Sequence, residues 1–136
     1  MAKKILIVED EKRFQEMYSM MLGDKDYDLT FAYDGDEAMQ ILEDNKPDLI
    51  ILDMIMDMVT GDTFFLHLKG YDDLADIPVV IISSTPQKKY KSLKKIDPNL
   101  LYIDKADLTK EKLLEVVEKN WPNKIKQNIM KRNINI

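Results

Sequence analysis

The chain has 136 residues, 45% of them hydrophobic and 33% charged, with a net charge of −5, a balance that suits one soluble domain with one core. It has no cysteine, which excludes disulfides, thiolate metal sites and a cysteine nucleophile. The opening MAKKILIVEDE offers only four apolar residues between lysines and acids; that is too short for a signal peptide or a membrane span, so a cytoplasmic location is expected.

In chain order, ILIV (5–8) is the first strand candidate. Phe14, Met17, Tyr18, Met21 and Leu22 then recur at helical spacing over 11–22, and Gly23–Asp24 marks a turn. DLTFA (28–32) alternates, which predicts a less buried strand near a sheet edge. Asp34 is placed to cap a helix over 35–45 that faces inward with Ala38, Ile41 and Leu42. LIIL (49–52) is apolar on both alternating faces, as in a strand covered on both sides. A helix over 62–69 carries Phe64, Phe65 and Leu68. VVII (79–82) is another buried strand, followed by a helix over 87–96 with Tyr90, Leu93 and Ile96. LLYI (100–103) is the fifth strand, and Thr109 caps a helix over 109–120 with Leu113, Leu114, Val116 and Val117 inward. Met17, Met20, Met21, Met54, Met56 and Met58 read as core-filling residues, with Met54 to Met58 partly lining the loop after Asp53.

Strand and helix thus alternate five times. Right-handed crossovers then give an α/β fold with a five-stranded parallel sheet, doubly wound, with helices on both faces. The edge-like second strand favours the order 2-1-3-4-5, with the ligand crevice between strands one and three. Residues 1–120 form the expected domain. Residues 121–136, WPNKIKQNIMKRNINI, carry Lys124, Lys126, Lys131 and Arg132 and no acid, and read as a basic C-terminal tail with no output domain. The rest of the chain is therefore more acidic than the whole, which argues against direct nucleic-acid binding.

The residues at the end of each buried run decide the chemistry. ILIV leads to Glu9 and Asp10, LIIL to Asp53, VVII to Ser83, and LLYI to Asp104 and Lys105. A parallel sheet brings these ends to one rim, where three carboxylates need a counter-charge. A hard, oxygen-liganded cation such as Mg²⁺ supplies it. Asp53 could then act as a nucleophile on phosphorus, with Lys105 and Ser83 of the right type to meet the transferred group. His67 is the only histidine and makes no metal cluster by itself.

The motifs ILIVEDE, LIILDMIMDMVTG, IPVVIISS and LYIDK, with the Ser83-to-Lys105 spacing, resemble the receiver domain of two-component response regulators, in its single-domain, chemotaxis-regulator-like form. The resemblance covers about residues 3–120. It implies a flavodoxin-like three-layer sandwich. It implies that Asp53 is the phospho-acceptor, charged by a histidine kinase or histidine phosphotransfer protein, and that Glu9, Asp10, Asp53 and the backbone carbonyl of Ile55 hold Mg²⁺. Ser83 and Tyr102 would be the switch pair, and Lys105 would meet the phosphoryl group. The fourth helix, fifth strand and fifth helix would present a surface to a downstream protein. On that surface QKKYKSLKK places Lys88, Lys89, Lys91, Lys94 and Lys95 together, with Lys88, Lys91, Lys95 and Tyr102 as the expected partner contacts.

Asp57 and Ala106 stand where the family usually has prolines, and they raise the alternative of a binding module that no longer uses phosphorylation. Apolar Ile55, which with Thr85 sits at a position that tunes phosphoryl lifetime in the family, implies slow self-dephosphorylation. A flavin- or nucleotide-binding enzyme is the third reading, but G-x-x-x-x-G-K-[ST] and G-x-G-x-x-G are both absent and only four glycines are available.

Overall fold

The computed structural model describes residues 3–54, 60–84 and 87–120, with the backbone alone for 87–89. Five strands alternate with five helices: β1 Lys3–Val8, α1 Lys12–Leu22, β2 Tyr27–Ala32, α2 Gly35–Asp44, β3 Leu49–Leu52, α3 Gly61–Lys69, β4 Val79–Ser83, α4 Gln87–Lys94, β5 Leu101–Asp104 and α5 Lys110–Lys119. All strand pairings are parallel and the order is β2-β1-β3-β4-β5. The expected α/β sheet and its order are both observed.

Side-chain alternation sorts the core into two layers. Leu6, Val8, Ile50, Leu52, Val79 and Ile81 face α2 and α3 with Phe64, Phe65 and Leu68. Ile5, Ile7, Leu49, Ile51, Val80 and Ile82 face α1 and α5 with Tyr18, Leu22, Leu113 and Val117. Burying aliphatic residues of this size on both faces contributes about 1.5–3 kcal/mol each. β2 is an edge strand, as β5 is at the other side, and every second residue of its first five is exposed.

Local signals hold where a side chain can close a helix end. Asp34 Oδ1 accepts from the Glu37 N–H at 2.8 Å, and Thr109 Oγ1 accepts from the Lys112 N–H at 3.1 Å. Two expected core positions are not core. Met20 is 79% exposed: it lies two residues from both Tyr18 and Leu22, on the far side of the 3.6-residue turn. Ile96 is 49% exposed because α4 ends at Lys94, so the helical spacing no longer applies to it.

Candidate functional site

Strand register explains why distant acids meet. Val8 pairs with Leu52 across β1 and β3, so Glu9 and Asp53 each stand one residue past the same rung. The ladder continues through them: the Asp53 N–H donates to the Val8 carbonyl at 3.0 Å, and the Glu9 N–H donates to the Ala32 carbonyl at 2.9 Å. Carried one step further, the alternation of Ile5–Ile7 and Leu49–Ile51 puts both acids on the α1–α5 side of the sheet. Ser83 ends β4 opposite Asp104, the last residue of β5, and Lys105 comes next in the chain.

Glu9 is 1% exposed and Asp53 4% exposed, while Asp10 is half-buried. One carboxylate oxygen from each of Glu9, Asp10 and Asp53 lies within 4.8 Å of the other two. The Lys105 ammonium sits 3.1 Å from Glu9 Oε2 and 3.4 Å from Asp53 Oδ2. Glu9 Oε2 is buried, and the Lys105 ammonium is its ion-pair partner, off the ideal hydrogen-bond direction. Burial, then the charge of Asp53, push the Glu9 carboxyl from its ordinary 4.5 up to about 7, with Lys105 opposing. Burial and the same two acids also raise the Tyr18 phenol. One ammonium against three clustered carboxylates leaves the centre short of positive charge. That shortage and the hard-oxygen donor set fit a divalent cation.

Other residues hold this centre in shape. Gln15 lies in the apolar stripe of α1 and donates from Nε2 to the Glu9 carbonyl at 2.7 Å. A polar residue at helical spacing from Tyr18 and Leu22 was its only signal in the sequence. Gly61 opens α3 with its N–H on the Met54 carbonyl at 3.1 Å. A Cβ at Gly61 would clash with the Asp53 carbonyl oxygen and fall 2.6 Å from Met54 Cα, so only glycine lets the helix come this close to the end of β3.

Lys105 begins a short 3-10 turn, Lys105–Asp107, in which the Asp104 carboxylate accepts from the Ala106 N–H at 2.9 Å. Peptide bonds in the described residues are all trans, including the one before Ala106.

Tyr102 is half-buried; its hydroxyl donates to the Ser83 carbonyl at 3.2 Å and its ring lies 5.2 Å from that of Tyr90. Lys91, Lys94 and Lys95 are exposed, as is His67. Ile55, Met56, Asp57, Met58, Thr85, the Lys88 and Lys89 side chains and the tail 121–136 lie outside the described residues.

The response regulator receiver domain family matches residues 5–120. The chain belongs to this family. Such receiver domains are signalling modules that act as phosphorylation-dependent switches; they interact with histidine kinases and downstream targets and typically bind Mg²⁺ at an acidic pocket. Among curated relatives, the phosphate regulon transcriptional regulatory protein PhoB of Escherichia coli K12 is 36% identical over 89 residues, 65% of this chain and 39% of PhoB. The chain therefore spans about two-fifths of that relative's length. The Vibrio cholerae chemotaxis protein CheY4 superposes with a TM-score of 0.79 at 24% identity, over 88% of this chain and 99% of CheY4, and shows the shared fold. The Mn²⁺-bound form of response regulator Rcp1 superposes with a TM-score of 0.75 at 26% identity, over 86% of this chain and 92% of Rcp1. Among the described residues no helix is long and apolar enough to cross a membrane.

Proposed function

We propose that this receiver domain takes a phosphoryl group on Asp53 from a histidine kinase or histidine phosphotransfer protein, in a reaction that needs Mg²⁺, and so controls a protein partner. The observation that carries this reading is the cluster of Glu9, Asp10 and Asp53 with the Lys105 ammonium between two of the acids. Glu9, Asp10, Asp53 and the Ile55 carbonyl would hold the cation, which when bound offsets negative charge on the acids and on the donor phosphate. That Rcp1, 26% identical, is known in an Mn²⁺-bound form is consistent with a divalent ion in this reading.

Within the chain itself, burial keeps bulk water away from the Asp53 carboxylate. An Asp53 carboxylate oxygen attacks phosphorus; the phosphorus–donor bond breaks and the donor leaves with its electron pair. The Lys105 ammonium meets the charge on the transferred group, and the Ser83 hydroxyl moves to hydrogen-bond it. Movement of Ser83 is transmitted through Tyr102 to α4 and the residue after it, where Lys91 and Lys95 are exposed and, with Lys88, would meet a downstream protein. The domain works in the cytoplasm as a switch whose only catalysis is its own phosphorylation and dephosphorylation.

The test is mass spectrometry after incubation with Mg²⁺ and acetyl phosphate. The expected result is one added phosphoryl group, absent in Asp53→Asn and absent with chelator. No adduct from acetyl phosphate or from a histidine kinase overturns the reading. Lys91→Glu with Lys95→Glu should keep the adduct and weaken capture of the partner; undiminished capture refutes the surface assignment.

A further inference from the structure

The Lys105 head group has a third neighbour besides the two acids. The Phe14 ring of α1 lies 3.9 Å, centroid to Nζ, from it. The same ring has the Arg13 guanidinium 5.0 Å from its centroid. Phe14 is only half-buried, at the edge of the α1–α5 core layer. Its spacing in the sequence predicts an ordinary core residue, and nothing in that spacing signals a cation.

We propose that Phe14 is the positioning residue for Lys105, holding its ammonium by a cation–π contact while the acids change their charge balance; this rests on the phosphoryl-transfer reading above. Lysine is a compact charge on a flexible four-carbon stem, and ion pairing alone fixes its direction poorly. The 3-10 turn anchors the Lys105 backbone, not the amine at the far end. The two contacts with Glu9 and Asp53 anchor the amine only while those carboxylates keep their charge to themselves. Once a cation and a phosphoryl group share those oxygens, both ion pairs weaken. The face of Phe14 carries a quadrupole and no net charge, so its attraction for the ammonium survives that exchange. At 10% side-chain exposure the ammonium is largely out of water, where such contacts are strongest. The ring therefore keeps Lys105 from swinging into solvent when the acids engage other charges, and leaves it where the incoming phosphoryl oxygen arrives.

The test compares wild type with Phe14→Leu, which keeps apolar bulk and loses the ring, and Phe14→Tyr, which keeps the ring face. Phosphorylation by acetyl phosphate should slow by roughly 2- to 30-fold in Phe14→Leu, the range that cation–π strengths imply, and recover in Phe14→Tyr. Mg²⁺ affinity should be equal in all three. In NMR spectra the Lys105 ε-methylene protons should be shifted upfield by the ring in wild type and Phe14→Tyr, and unshifted in Phe14→Leu.

Wild-type speed in Phe14→Leu overturns the proposal, as does a wild-type Lys105 resonance with no ring shift. The latter is read without any variant, so it decides the matter even if Phe14→Leu does not fold. Slowing in Phe14→Leu and Phe14→Tyr alike, in step with lost thermal stability, also overturns it in favour of plain packing. A wild type that takes no phosphoryl group overturns the reading above, and this role with it.

Discussion

Tyr102 on β5 donates its hydroxyl to the backbone carbonyl of Ser83 at the end of β4, at 3.2 Å. Tyr90 on α4 donates to the Leu100 carbonyl at 2.8 Å, and the two rings pack 5.2 Å apart with a tilt of 32°. The paired tyrosines link the strand end that carries Ser83 to the helix that carries the exposed lysines. Tyr102→Phe should cost about 1 kcal/mol, the typical worth of one hydrogen bond. It should also speed hydrogen exchange of the α4 amides while Asp53 phosphorylation proceeds at the wild-type rate. Unchanged exchange in α4 would show that the pair transmits nothing.

Gly61→Ala drives a methyl group into the Asp53 carbonyl oxygen and Met54 Cα. Backbone cannot yield there as the tip of a side chain would. A loss of about 1–3 kcal/mol is expected, as for overpacked cores, with slower phosphorylation because the acceptor strand must shift. Urea denaturation and the acetyl phosphate assay together check this; full stability in the alanine variant would refute it.

Glu9 sets a pH dependence with a definite sign. Its carboxyl is raised from 4.5 to about 7, chiefly by burial, so between these values the folded chain binds more protons than the unfolded one. The contribution is fully present below 4.5 and is lost as pH rises through about 7. In metal-free buffer the wild type should therefore lose stability relative to Glu9→Gln as pH rises from about 5 to about 7.5. Added Mg²⁺ should narrow that difference. Parallel melting curves across this range would contradict the assignment.

Lys69, mostly buried, ties three segments together: its ammonium meets Asp97 Oδ2 at 2.9 Å and the Ala75 carbonyl at 2.7 Å. Removing it leaves the Asp97 charge half-buried and uncompensated. Lys69→Met should cost about 1–3 kcal/mol, less than for a fully buried pair. Lys69→Met combined with Asp97→Asn should recover part of it, measured as a double-mutant cycle in urea.

The architecture was legible because each strand announces itself. LIIL (49–52) is apolar on both faces and could only sit inside a covered sheet, while DLTFA (28–32) alternates and forms the edge. Glu9, Asp53 and Lys105 were legible as a group because parallel register makes strand-end residues neighbours. The roles of Gln15 and Phe14 were not, because helical spacing reports which face is buried and not what that face touches. Gly61 stood inside a recognised motif, yet its role depends on backbone packed where a Cβ would lie, which no pattern of letters records. Met20 and Ile96 depart from expectation because apolar character alone does not decide burial; position on the helix does.

The burial of the Glu9 carboxyl has an evolutionary corollary. If Glu9 holds the cation as proposed, replacing it by its neutral amide would make the metal-free fold sturdier near neutral pH and weaken the response. Selection for durability and selection for responsiveness therefore pull this one position in opposite directions. Descendants of this chain that have abandoned the signal should be recognisable by having settled the conflict in favour of toughness.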